Sequence, residues 1–148
     1  KPFESPAEEA YLNLLRTAAT LEGDILPLLK EHGLTESSYN ALRILRGHSS
    51  AGCPCGVVGD HMVVRVPDVT RLLDRLEQAG LATRERASAD RRVVIARITT
   101  KGLDTLAKLD RPLIEAHNAQ LAHMTKDELR TLNALLVKAR QRVTSPTV

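Results

Sequence analysis

The sequence predicts a mainly α-helical chain carrying one small β-hairpin, on three observations. Apolar residues make up 43% of the 148 residues but aromatics only 2% (Phe3, Tyr11 and Tyr39, with no Trp), so any core is built from Leu, Val, Ile and Ala. Apolar residues recur at helical spacing behind capping signals before Gly80 and again after Thr99. Between those regions the stretch "RVVIARI", Arg92 to Ile98, is β-branched and places Val94, Ala96 and Ile98 on one face, as a strand does. The length suits one domain, or one domain with an extension.

Taken in order, Ser5-Pro6-Ala7-Glu8 is a capping box with Pro at the first helical position, opening a helix from about Pro6 to His32. Tyr11, Leu12, Leu15, Ala19 and Leu26 are among its apolar positions, Pro27 is expected to kink it, and Gly33 to stop it. Thr35 starts a second helix with Tyr39, Leu42 and Leu45 on one stripe, ended by Gly47. "HSSAGCPCG" reads as loop. A short helix follows at about Val57 to Val63, then a tight connection and a stronger helix at about Pro67 to Ala79. Leu81 to Arg86 and Arg92 to Ile98 form the hairpin, with small residues Ala87, Ser88 and Ala89 near its tip. Thr99 or Thr100 caps a long helix to about His123, bent at Pro112. Thr125-Lys126-Asp127-Glu128 is a second capping box, and the last helix carries Leu129, Leu132, Leu136 and Val143. "TSPTV" reads as a frayed tail. Terminal helices this apolar call for a partner surface, and a second copy of the chain is the natural candidate.

The net charge of +3 is unevenly placed. Arg65 to Lys101 holds nine basic and five acidic residues, and the remainder holds 12 basic and 13 acidic, so the positive charge sits in the middle segment. Such a concentration is an electrostatic footprint for a polyanion. On a helical wheel Val69, Leu72, Leu73 and Leu76 share one face of the helix after Pro67. The opposite face presents Pro67, Arg71, Asp74 and Gln78, flanked by Thr70 and Arg75, which are side chains with the reach for base edges and phosphates. A short helix before it across a tight turn is the helix-turn-helix arrangement. A thin hairpin tip bearing arginine suits the negative potential of a narrow minor groove.

The central run "VPDVTRLLDRLEQAGLATRERASADRRVVIARITTKG", with "LTESSYNALRILRG" before it, resembles the winged helix-turn-helix core of the MarR family of bacterial transcription regulators. "DRR" at Asp90 to Arg92 is similar to that family's Asp-x-Arg wing motif, and "ITTKG" to the start of its fifth helix. The resemblance covers about Ala7 to Arg142. It implies a homodimer in which residues 1–34 and 100–148 form a helical dimerisation region and 35–99 a winged helix-turn-helix that binds a pseudo-palindromic double-stranded DNA operator. It places Pro67, Asp68, Thr70, Arg71 and Arg75 on the recognition helix, Asp90 as the acid that orients a neighbouring arginine, and Arg92 in the minor groove. Arg84, Arg86 and Arg91 become phosphate or wing-support contacts. Where the family often has Thr or Ser ahead of the recognition helix, "VVRVPD" offers Val64, Arg65 and Val66. The resemblance thus implies a weakened cap, costing about 1 kcal/mol, with Arg65 supplying a phosphate contact directly. Family effectors often lodge between the dimer helices and the winged domain, where Arg16, Tyr39 and His117 are expected to line a pocket.

Other chemistries are poorly supplied. "CPC" offers two thiols, Cys53 and Cys55, with His48 and His61 nearby in sequence, but zinc sites need four ligands. A thiol- or metal-responsive sensor is therefore a competing reading, and small apolar packing of Cys55 the preferred one. The family's peroxide-sensing branch carries its reactive Cys in the first helix, where this chain has none. His117 and His123 do not share a helix face, so no metal pair is expected. No Gly-rich phosphate loop, HExxH or nucleophile elbow is present, and neither an enzyme nor a cofactor is expected. A winged helix that binds protein instead of DNA is the other rival, and it predicts wing charges paired internally. No run of about 18 apolar residues and no leader pattern is read, so a cytoplasmic protein without a membrane span is expected.

Overall fold

The computed structural model describes residues 3–87 and 90–141. Its elements run α1 (Pro6–Glu31), α2 (Glu36–Gly47), β1 (Cys53–Pro54), α3 (Cys55–Asp60), α4 (Val69–Gln78), β2 (Ala82–Arg86), β3 (Val94–Ile98), α5 (Thr100–Gln120) and α6 (Lys126–Arg140). The fold class is as expected: mostly helix, with a small antiparallel sheet in the order β1-β3-β2.

Every helix but α3 starts where a side chain accepts an otherwise unpaired N–H. Ser5 Oγ accepts from Glu8 N (3.1 Å), Thr35 Oγ1 from Ser38 N (3.2 Å), and Thr125 forms a full capping box with Glu128. α1 continues through Pro27 and α5 through Pro112. α4 ends at a left-handed Gly80 (φ 72°), and Leu81 N donates back to Leu76 O (2.9 Å), so the chain reverses tightly into β2. Thr99 N donates to Leu81 O (3.1 Å), Thr99 Oγ1 to Gly80 O (2.8 Å) and Lys101 Nζ to Ala79 O (2.7 Å), which seats the start of α5 on that turn. Gly102 is required there, because a Cβ would run into the Leu81 carbonyl.

The core is aliphatic. Leu42 and Leu45 of α2, Leu72, Leu73 and Leu76 of α4, Val58 of α3, Ala96 of β3, and Leu106 and Leu109 of α5 are all buried. Bidentate Arg46–Asp110 (2.7 and 3.0 Å) ties α2 to α5, and Gln120 Nε2 donating to Leu21 O (2.6 Å) ties α5 to α1. Asn40 Oδ1 accepts from Val63 N (2.8 Å), holding the α3–α4 connection against α2.

Several boundaries move. The expected loop around "CPC" contains β1, whose Cys53 pairs with Ala96 and Pro54 with Ile95, an edge position that tolerates Pro. α3 consequently begins at Cys55, ahead of Val57. β3 begins at Val94 instead of Arg92, because Asp90 accepts from both Arg92 N (side chain, 2.9 Å) and Val93 N (backbone, 2.9 Å) and closes a turn. α5 stops at Gln120, short of His123, because Thr125 must be extended (ψ 161°) to cap α6. Ser88, Ala89, Val143 and the "TSPTV" tail lie outside the described residues.

Candidate nucleic-acid interface

The outer face of α4 begins with a cap. Asp68 accepts from Arg71 N (2.9 Å) through Oδ1. The cap expected to be weak is therefore present: "VVRVPD" supplies it from its last residue, and Pro67 and Asp68 lie ahead of the helix rather than within it. Pro67, Thr70, Arg71, Arg75 and Gln78 are exposed, while Leu72, Leu73 and Leu76 on the opposite face are buried. Arg65 is exposed in the connection ahead of α4, beside Val63 (85% exposed) and Val64.

At the wing tip, Asp90 takes both the backbone N–H of Arg92 (2.9 Å) and its Nε (3.4 Å). Arg92 remains 94% exposed. The carboxylate thus aims the side chain without covering it. Arg86 and Arg91 are exposed, and among the described residues neither makes an ion pair. Arg97 Nε pairs with Glu85 (3.0 Å) across the two strands, at the hairpin's side.

Arg84 behaves differently from the other arginines. The sequence reading offers it as a phosphate or wing-support contact, and its side chain, only 21% exposed, points at α4. Glu77 Oε1 accepts its backbone N–H (3.0 Å), and Oε2 accepts Nε (3.1 Å) and Nη2 (2.8 Å). Asp74 pairs with the same Nη2. The hydrogen bonds from Arg84 hold the Glu77 carboxyl below its ordinary range, and those to Glu77 hold the guanidinium above its own. Sequence periodicity could not find this cluster, because it joins a helix to a strand across the Gly80 turn.

The three residues expected to line one effector pocket are not brought together. Tyr39 lines a cleft of about 330 Å³ with Asn40, Arg43 and the Met62–Val64 connection. His117 lines a second, of about 240 Å³, with Leu21, Ile25 and Leu26. Glu36 borders both, and Arg16 borders neither. Arg43, missed in the sequence, sits four residues from Tyr39 on α2, donates to its hydroxyl (3.0 Å) and has its guanidinium 5.7 Å from the ring centroid.

Cys53 is buried, and burial pushes its thiol up. Burial also raises Cys55, with Arg84 pulling the other way. A thiol raised by burial is the opposite of a reactive thiolate. Among the described residues no three metal-ligating side chains converge; His48 and His61 meet edge to face, their centroids 5.9 Å apart, each with Nδ1 against a carbonyl of its own helix.

The MarR family profile matches residues 34–94. A crystal structure of a MarR transcription factor from Planctomyces limnophilus is 36% identical over 91% of this chain and 98% of that one, with a TM-score of 0.70. The HTH-type transcriptional regulator MhqR of Bacillus subtilis is 28% identical over 96 residues, and the match spans 65% of each chain. Two more distant structures share the fold: S. aureus MepR in complex with DNA (21% identical, covering 87% and 95%, TM-score 0.78) and Bordetella bronchiseptica BpsR, whose DNA binding is regulated by 6-hydroxynicotinic acid (19%, covering 90% and 100%, TM-score 0.79). These relatives are regulators rather than enzymes. A winged helix-turn-helix with arginines on its outer helix and wing tip, and a 36%-identical relative matched nearly end to end, place the chain in the MarR family of transcription regulators.

Proposed function

We propose that the chain acts in the cytoplasm as a homodimer that binds a pseudo-palindromic duplex and represses transcription until a small effector releases it. Residues 1–34 and 100–148 make the dimer, and 35–99 read the DNA. α4 enters the major groove with Thr70, Arg71 and Arg75, Pro67 and Asp68 shaping its entry. Arg65, Arg86 and Arg91 meet phosphates, and Arg92 enters the minor groove. The observation that carries this reading is the braced, 94% exposed Arg92 beside a recognition helix whose arginines face outward. The rival protein-binding wing predicts internally paired charges; Arg84, Arg92 and Arg97 are so paired, but Arg92 stays exposed, and Arg86 and Arg91, without an ion pair among the described residues, favour DNA. The likeness to the MepR–DNA complex supports the same choice.

The dimer is supported by apolar surface that the single chain leaves open: Tyr11, Leu12 and Leu15 of α1, Ile114 of α5, Leu135 and Val137 of α6 are all exposed. For the effector, the Tyr39–Arg43 cleft supplies a cation and a ring beside Asn40, which suits a small aromatic acid of the class that regulates BpsR. Because the cleft touches the connection into α4, an occupant that moves Met62–Val64 shifts the recognition helix. The test is anisotropy on duplexes selected by the protein from a randomised library. Arg92→Ala should weaken the selected duplex by about ten- to a hundredfold, with fold and dimer intact. The native log–log salt slope should be about −0.9 for each phosphate neutralised, and a slope near zero removes DNA as the ligand.

A further inference from the structure

We propose that Arg84 is a positioning residue: clamped by Glu77 and Asp74, it locks the wing to the recognition helix and so determines whether Arg92 reaches its groove. This rests on the DNA-binding reading above and adds to it a residue that touches no DNA.

The geometry carries the inference. One carboxylate, Glu77, takes both the main-chain N–H of Arg84 (3.0 Å) and its side chain (3.1 and 2.8 Å), so it fixes the strand and the guanidinium together. Asp74, one turn earlier on α4, holds the same Nη2 from a second direction. Two anchors on one helix resist rotation of the strand about either. Arg84 is the middle residue of β2 and pairs with Ala96, whose side chain is buried, so the clamp sits halfway along the paired strands, on the core side of the tip. Arg92 lies in the turn beyond the last strand pair, Arg86 with Val94, which is itself about 7 Å further out than Arg84 at about 3.3 Å per residue. A small tilt at Arg84 becomes a large displacement at that tip. The other hydrogen bonds at the wing base join the Gly80 turn to Thr99, at the end of the hairpin away from the tip, so they do not hold the outer part of the wing. Two guanidinium donors converging on Glu77 Oε2, with Asp74 on the same Nη2, hold the planar guanidinium in orientation as well as distance.

The decisive variant is Arg84→Met with Glu77→Gln, which removes the tie while leaving the local charge total unchanged. It is measured on the duplex selected by the native chain, alone and in an Arg92→Ala background. Expected results are about a tenfold loss of affinity in the native background and less than twofold with Arg92→Ala. The salt slope should be unchanged, and minor-groove protection lost while major-groove protection persists. Equal losses in both backgrounds overturn the proposal. So does a slope reduced by about 0.9, which makes Arg84 a phosphate ligand. Should the double variant fail to fold, Arg84→Lys is put through the same measurements with the same criteria; it keeps the charge and loses the fork. Failure of the native chain to select any duplex refutes the DNA-binding reading itself, and is thereby told apart from failure of the clamp.

Discussion

The winged middle and the helical arms use the same residues to different ends. Both are rich in leucine at helical spacing. In α4 that stripe disappears from solvent, with Leu72, Leu73 and Leu76 all buried. In α6 an equally regular stripe buries no residue, and Leu135 stays 58% exposed. α1 divides within itself: Leu29 is buried, while the fifteen residues from Pro6 to Thr20 are all exposed and Tyr11 is 61% so. Amphipathic spacing thus states that a face must be covered, but among the described residues the fully buried ones all lie between Leu29 and Leu113. The middle is held together by its own core. The arms await another surface, and the proposed second copy is what makes their sequence physically consistent.

The largest test of this contrast places a charge on an arm. Leu135→Asp with Leu15→Asp should convert a dimer into a species of the single-chain mass, 16.2 kDa, by light scattering. Duplex affinity should fall by about a hundredfold or more, since two linked half-site contacts become one. The winged middle should keep its helical signal. A variant that remains dimeric breaks the contrast, and one that unfolds shows the arms to be part of the core. The matching change in the middle is Leu73→Ala, which empties a fully buried position and should cost about 2–5 kcal/mol by urea denaturation. A cost under 1 kcal/mol, far below that range, would mean the α4 core is not the stable part of the molecule.

What could be read in advance follows the range of the interaction responsible. Caps, stops and stripes are local: Ser5, Thr35, Thr99 and Thr125 do cap their helices, Gly33 and Gly80 do close them, and the buried face of α4 is where the wheel puts it. β1 was hidden because two residues, one of them proline, have no pattern of their own and become a strand only against Ala96 and Ile95. The sequence reading put the cap position among Val64 to Val66 and Asp68 on the helix, and only the start of α4 at Val69 makes Asp68 the cap. Arg84 looked like one of five arginines in the hairpin stretch, and its partners lie on the preceding helix. Tyr39 and His117 open onto different clefts that share only Glu36 as a bordering residue, which depends on how α1, α2 and α5 cross.

The Asp68 cap supplies the next smaller test. Asp68→Ala should cost about 1 kcal/mol in the urea midpoint, and Asp68→Asn should recover most of it, because the amide oxygen can still accept from Arg71 N. Full stability in the alanine variant would mean the first turn of the recognition helix is held by its core face alone. That outcome would sharpen the contrast further in favour of the middle.

The smallest expected effect is on acid stability, and it has the same sign in both regions. Asp110 is held below its ordinary range by its hydrogen bonds to Arg46, Glu77 by those to Arg84, and Glu128 by the Thr125 backbone N–H. Each is depressed in the folded chain, so each contributes stability that is fully present above the unfolded carboxylate range, about pH 4. That contribution is lost as pH falls through the lowered value. Glu77 lies in the middle, Glu128 in an arm, and Asp110 on α5 joins the two regions through Arg46 of α2. The pairs are substantially exposed, with 32% and 42% of the Arg46 and Asp110 side chains in solvent, so screening keeps the loss modest. Unfolding midpoints measured from pH 6 down to 3 should therefore decline only in the last part of that interval. Asp110→Asn should be less stable than the native chain at pH 6 and converge on it at pH 3. If the two curves stay parallel, the Arg46–Asp110 contact stabilises by packing rather than by charge, and the link from α2 to α5 is to be counted with the aliphatic core.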